Sequence, residues 1–190
     1  MYSVLLDHIR RYITLNDDEA ALICSKLKIT PVKKKDFLLS AGKVCRANYF
    51  VSTGLLRLYF INKKEQEQIT QFALQGWWIT DYDSFDSQKA SRFYIQAVED
   101  TEVIAWSAEV QEELIKDIPQ LERYFRLVLQ RAYAATQRRI EYIYSYTDEE
   151  RYRHFSKLFP EFLQRVPQYM LASYLGFTPQ FLSKIRAKKD

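Results

Sequence analysis

Glycine and proline are scarce in this chain of 190 residues, at 4 and 5 copies. Low-complexity and disordered stretches usually carry many of both, so most of the chain is expected to pack. Cysteine is scarcer still. Cys24 and Cys45 form no CxxC pair, and two thiols are too few for a disulfide framework. Cys24 lies in an apolar helical pattern and reads as a small core residue, whereas Cys45 reads as a loop thiol. The two histidines, His8 and His154, have no neighbouring ligand at helical spacing and read as structural or surface side chains. No apolar run approaches the ~20 residues that span a bilayer. The start, MYSVLLDHIRRYITL, is broken by Asp7 and two arginines and lacks a signal-peptide core, so a cytoplasmic location is expected. A nucleophile–base pair, a phosphate-binding glycine loop and a metal cluster are all missing from the pattern. Asp81, Asp83 and Asp86 read as a solvated loop. The expectation is therefore no enzyme, no catalytic or metal-ligating residue and no cofactor.

What is present is a large apolar fraction, 47%, with aromatic residues at 15%. Residues 2–27 show helical periodicity in two pieces, with Asn16 or Asp17 as the cap of the second. From Thr30 the pattern shortens into strands between turns at Ser40-Ala41-Gly42, Ser52-Thr53-Gly54 and Asn62-Lys63-Lys64-Glu65. Leu56, Leu58 and Phe60 alternate with Arg57, Tyr59 and Ile61, which predicts one face more buried than the other. Residues 69–74, 94–97 and 101–106 continue the series. Several short strands at near-regular spacing suggest a small antiparallel barrel or sandwich.

Helical pattern returns at Ser107, a cap for residues 108–115. Pro119 fits the first turn of a long helix running to about Tyr146. Its stripe Leu121, Phe125, Val128, Ala132 and Ala135 steps by four and three, the spacing of a heptad seam. The seam then reaches Arg139 and Tyr142 and becomes untidy. A second apolar stripe, Leu127, Ile140, Ile143 and Tyr144, widens the surface, so the helix needs more than one neighbour: its own barrel and a second copy of the chain, with burial entirely within one subunit as the alternative. Thr147-Asp148-Glu149-Glu150 has the form of a capping box, so a break and restart are expected there.

Charge is uneven. Residues 151–190 hold 8 Lys/Arg against 2 Asp/Glu, whereas residues 1–150 hold 20 against 22. A near-neutral body with a basic end suggests a polyanionic partner. Within that end, LASYLGFTPQFLSKIR reads as two helices around a glycine turn. Thr178 caps the second, Pro179 sits in its first turn, and Leu171, Leu175, Phe177, Leu182 and Ile185 share a small core. Gln180, Ser183, Lys184 and Lys188 are left off the buried stripe. Gln pairs well with adenine, and Lys with guanine O6/N7 or phosphate.

These residues carry a resemblance. VPQYMLASYLGFTPQFLSKIRAK resembles the helix-turn-helix of bacterial transcription regulators of the Crp/Fnr family, and its TPQFLSKIR start is similar to a Bacteroidetes-like variant. The helical start, the YFVSTGLLRLYF strands and the long helix follow the family's order over nearly the whole chain. The resemblance implies an α+β fold. Its N-terminal antiparallel β-barrel would be of double-stranded β-helix or jelly-roll type, with flanking helices. A long dimerisation helix and a C-terminal helix-turn-helix would follow. The expected boundaries are 1–118 for a cyclic-nucleotide-binding-type sensor, 119–146 for the dimerisation helix and 147–190 for the DNA-binding domain. Family base contacts fall on Pro179, Gln180 and Lys184, and proline makes no side-chain hydrogen bond. Gln180, Ser183 and Lys184 are the expected base readers, with Thr178, Tyr169, Arg186 and Lys188 nearer the phosphates.

The sensor departs from the family pattern. Gly76 stands where the phosphate cassette begins, but Trp77 and Trp78 follow it. The ribose position has no clear glutamate, and Ser91 falls at the phosphate arginine, with Arg92 beside it. Ordinary cAMP binding is not expected. Either Trp77, Trp78, Tyr82, Phe85 and Tyr94 line a pocket with Ser91 and Arg92, or the aromatics fill the barrel as a scaffold. Two cysteines do not supply an iron–sulfur cluster. The partners implied are double-stranded DNA and a second copy of the chain. RNA polymerase and an unknown small-molecule effector are further candidates, and no membrane is involved. The competing reading is a small-molecule-binding or interaction module whose terminal hairpin docks on a protein.

Overall fold

The structure is a computed structural model that describes residues 2–187. Two short helices open the chain, α1 (Ser3–Arg10) and α2 (Asp17–Lys26). Asn16 is the cap of α2. Its side chain accepts from Glu19 N while Glu19 reaches back to Asn16 N, which satisfies two otherwise orphaned donors. Among the described residues eight strands follow: β1 (Ile29–Val32), β2 (Phe37–Leu39), β3 (Ala47–Thr53), β4 (Leu55–Ile61), β5 (Glu67–Leu74), β6 (Trp78–Ile79), β7 (Phe93–Ala97) and β8 (Thr101–Ser107). A short helix, α3 (Tyr82–Ser87), lies between β6 and β7.

The strands pair as two antiparallel four-stranded sheets, in the orders β1-β8-β3-β6 and β2-β7-β4-β5. The expected closed barrel is therefore corrected to an open two-sheet sandwich. At the β5–β6 corner the contact is a side chain, Gln71 Nε2 donating to Trp78 O at 2.9 Å, rather than a ladder. Between the sheets lie Val51, Leu56, Leu58, Ile79, Ile95 and Val103, all buried. At the tight β3–β4 turn, Gly54 has φ +94°, and a Cβ there would sit 2.4 Å from Thr101 Oγ1.

Both outer faces of the sandwich are covered by helices. On the first sheet, α1, α2, α4 (Ala108–Asp117) and the start of α5 (Gln120–Ser145) pack over Phe50, Trp78, Ile104 and Trp106. On the second sheet sit the C-terminal helices α6 (Asp148–Leu158), α7 (Pro160–Arg165) and α8 (Gln168–Leu175), followed by α9 (Pro179–Ala187). Leu55, Tyr59, Phe72 and Leu74 on the sheet meet Phe155, Phe162 and Leu171 on the helices. This explains why β4 is buried on both faces, contrary to the one-sided burial expected from its alternation. Arg57, 4% exposed, survives on the covered face because Glu67 and Gln96 take its N–H groups and Tyr59 stacks beneath it at 4.2 Å.

Three further expectations are corrected. Cys45 is not a loop thiol: it is 1% exposed, with Sγ 3.3 Å from Thr80 Oγ1. Cys24, expected in the core, is only half-buried. Asp81 is no solvated loop residue: it is buried and accepts a hydrogen bond from Ser91 Oγ at 2.6 Å.

Candidate nucleic-acid interface and sensor region

The two C-terminal helices meet through a glycine. Gly176 closes α8 in the left-handed region, φ +82°, and Phe177 N donates back to Ala172 O at 2.8 Å, which satisfies a terminal carbonyl of α8. Thr178 Oγ1 then accepts from Phe181 N at 3.2 Å, the capping bond expected of it. Ala172 is fully buried where the helices approach, and Leu171, Leu175, Leu182 and Ile185 are buried with it. Phe177 is half-buried at the edge of this core.

That packing decides which face of α9 is free. Leu182 and Ile185 point inward, so Gln180, Ser183 and Lys184, at i, i+3 and i+4, share the outward face. All three are exposed, as are Thr178, Arg186 and Tyr169, the last at 53%. Lys188, the remaining residue of the expected set, lies outside the described residues. The side chains on this face offer cationic and amide donors to an acceptor-rich surface.

The C-terminal unit is held to the sandwich by polar contacts that sequence reasoning missed. Ser173 Oγ donates to Glu67 O at 2.6 Å and accepts from Ile69 N at 3.0 Å, so it pairs with the open edge of β5. Arg139 donates to the carbonyls of Thr70 and Tyr174 and stacks over the Tyr174 ring at 4.1 Å. Arg165 pairs with Glu99 and donates to Gly54 O at 3.0 Å. The untidy end of the long-helix seam, at Arg139, was the one signal of this docking.

The long helix is turned differently from expectation. Leu121 is fully buried inside its own chain, and Phe125 packs edge-on to Trp106 at 5.3 Å. Val128 also rests against this core. The expected seam thus begins against the molecule's own sheet, and only Ala132 and Ala135 of it are exposed. The free apolar residues lie one position further on. Leu129, Tyr133, Ile140 and Ile143 are 49%, 63%, 50% and 45% exposed, and with Thr136 they step by four and three along one face. The helix ends at Ser145, and α6 restarts behind the Thr147–Glu150 capping box.

The seven expected pocket residues are not gathered. Trp78 lies in the helix-covered core beside Phe50 and Trp106, Phe85 packs against the sandwich interior, and Tyr94 stacks on Tyr59 at 5.0 Å. Tyr82, Trp77 and Arg92 are exposed, and Ser91 is buried on Asp81. Where the resemblance would place a phosphate arginine, the structure has this Ser91–Asp81 pair. Around it, Ser84 Oγ donates to Lys89 O and accepts from Cys45 N at 2.9 Å.

A cleft of about 550 Å³ opens instead between α1 and the β5–β6 turn, lined by His8, Arg11, Tyr12 and Trp77 among others. At its edge Trp78 Nε1 donates to the Tyr124 hydroxyl at 2.9 Å, and His8 Nδ1 lies 2.7 Å from the same oxygen. Burial, then the neighbouring Arg11 and Arg131, lowers the His8 pKa to about 4, and burial pushes the Tyr124 phenol far up. His8 is therefore neutral near pH 7 and Tyr124 keeps its proton. Among the described residues no cluster of metal ligands occurs, and no helix is long and apolar enough to cross a membrane.

Residues 29–117 match the family model described as the cyclic nucleotide-binding domain. The chain is similar to the anaerobic regulatory protein of Haemophilus influenzae, 25% identical over 186 residues that cover 90% of this chain and 71% of that one. Among solved structures, the fold is like that of FixK2 from Bradyrhizobium japonicum. That match has a TM-score of 0.69 and 18% identity, covering 85% of this chain and 83% of the other. A protein of Eubacterium rectale assigned to the Crp/Fnr transcriptional regulators superposes with a TM-score of 0.67 at 19% identity, covering 90% and 82%.

Proposed function

We propose that this chain, which carries a cyclic nucleotide-binding domain match over residues 29–117 and has the fold of solved Crp/Fnr regulators, is a regulator of that type and acts as a homodimer reading a two-half-site stretch of DNA with the outward face of α9. The observation that carries the proposal is that face itself. Gln180, Ser183 and Lys184 stand exposed together while Leu182 and Ile185 lock the helix from behind. Gln180 and Lys184 read base edges, and Ser183 is of a size for either a base edge or a phosphate. Thr178, Tyr169 and Arg186 serve the backbone.

Dimerisation is assigned to the free seam of α5, Leu129, Tyr133, Ile140 and Ile143. Two such seams packed together bury side chains that otherwise face water, and the twofold axis sets two α9 helices one helical turn of DNA apart, about 34 Å. On this reading the sensor does not take a cyclic nucleotide in the usual way: Ser91, where the resemblance would have the phosphate arginine, offers no cation and is hydrogen-bonded to the buried Asp81. The domain limits 1–118, 119–146 and 147–190 belong to the same proposal, with the helix break at Tyr146 as support.

Selection of duplexes from a random pool tests the reading. A shared two-half-site motif, bound with a steep dependence on salt, supports it. Failure to enrich any duplex, with salt-insensitive capture of a protein partner, would support the docking-module alternative instead.

A further inference from the structure

The cleft between α1 and the β5–β6 turn holds two ionic side chains that the fold does not use. Asp7 and Arg11 are four residues apart and both line it. At that spacing on a helix, side chains stand ~5–6 Å apart at Cβ, close enough to pair directly. Neither makes a hydrogen bond or ion pair with a described residue, whereas the adjacent Arg10 pairs with Asp17 at 3.4 Å. His8 adds a donor. Of the two groups that touch the Tyr124 hydroxyl, Trp78 Nε1 can only donate, so His8 Nδ1 is the acceptor for the phenolic proton, and on that assignment His8 carries its own proton on Nε2. No described residue takes that N–H. Trp77, 40% exposed, forms an aromatic wall of the cleft and meets Phe159 and Phe162 of the C-terminal unit at 6.4 and 6.2 Å.

We propose that this cleft binds a free α-amino acid with an aromatic side chain. Arg11 and the His8 Nε2–H take the carboxylate, Asp7 takes the ammonium, and the ring lies against Trp77. A zwitterion answers both unpaired charges at once. An aryl carboxylate would leave Asp7 unmatched, and a nucleotide would bring phosphate charge against it. The volume of about 550 Å³ accommodates such a ligand. The consequence for regulation rests on the DNA-binding reading: occupancy shifts Trp77, and its ring contacts pass the change to the helices that carry α9. The binding step does not depend on that reading.

Titration calorimetry of the full chain with L-phenylalanine is the test, with 3-phenylpropionate and phenethylamine as probes lacking the ammonium or the carboxylate. Saturable heat is expected with phenylalanine, at least about tenfold weaker for either probe. Asp7→Asn is expected to weaken phenylalanine about tenfold while sparing phenylpropionate, and Arg11→Gln to weaken both. Both side chains are exposed, and an unchanged melting temperature confirms that the variants fold. No saturable heat at millimolar phenylalanine, or affinity unaltered in both variants, would overturn the proposal. Loss of operator binding alone would count against the DNA-binding reading and leave this titration intact.

Discussion

Lys184 and Gln180 stand side by side with two buried residues of the same helix, so their contribution to DNA binding can be separated from their contribution to folding. Each good base contact is worth ~1–3 kcal/mol of discrimination. Lys184→Ala and Gln180→Ala are expected to weaken selected duplexes by about that amount in a gel-shift titration, with the melting temperature unchanged. Equal loss on random DNA would reassign them to phosphate. Leu182→Ala behaves differently, because a buried leucine lost from a core costs about 2–5 kcal/mol of stability. Gly54 offers a backbone test. Alanine there would meet Thr101 and Asp100 backbone atoms at 2.7 and 2.8 Å while holding φ near +94°. Strain of that kind alone costs about 1–3 kcal/mol, and chemical denaturation should show at least that loss. His8 makes a pH prediction. Its folded pKa, about 4, is below the ordinary value of 6.5. Between those values the unfolded chain binds the extra proton, so stability falls as pH drops through that window. His8→Gln should remove this part of the pH dependence. A wild-type-minus-variant difference that stays flat from pH 7 to about pH 4 would show that His8 is not held neutral.

At the scale of single elements, the prediction concerns which side of α5 is free. Tyr133→Glu and Ile140→Glu, exposed on the seam, should give monomers in sedimentation, whereas Leu121→Ala should lower stability by about 2–5 kcal/mol without acting through the interface. Dimers that persist in both glutamate variants would remove the seam from the proposal. The long helix also marks a limit of sequence reading. Its extent and four-three spacing were legible, as were a cap at Asn16 or Asp17, the capping box at Thr147 and the turn at Gly176, because all of these are local signals. Its rotation was not. The stripe at Leu121, Phe125 and Val128 and the one at Leu129, Tyr133 and Ile140 have the same spacing, and only contact with Trp78 and Trp106 distinguishes them. The same reason hid the burial of Arg57 and Tyr59. Alternation along a strand shows two faces but not that a distant helix covers the second. The burial of Cys45 is equally invisible in the sequence, because it depends on Thr80 and Ser84, more than thirty residues away, while the flanking residues carry turn signals.

For the whole molecule, the C-terminal unit and the sensor are one packed body, joined at the β5 edge. Arg139→Met removes the donor shared by Thr70, Ile69 and Tyr174 carbonyls. Faster amide exchange in α8 and easier proteolysis near Tyr146 are expected, with exchange in the first sheet unchanged. Exchange unchanged throughout would mean that Ser173 and Arg165 suffice to hold the docking. The candidate site divides along similar lines. The outward face of α9 could be read from sequence because it lies on one short helix with its own core. The sensor pocket could not, since its seven residues are distributed over surfaces that only folding brings together or apart. The most direct test of the central claim is a hydroxyl-radical and dimethyl-sulfate footprint of the full chain on its selected duplex. Two protected major-groove patches with centres about 10 base pairs apart are predicted, both lost with Lys184→Ala at matched concentration. A single patch, or protection unaltered by that substitution, would contradict it.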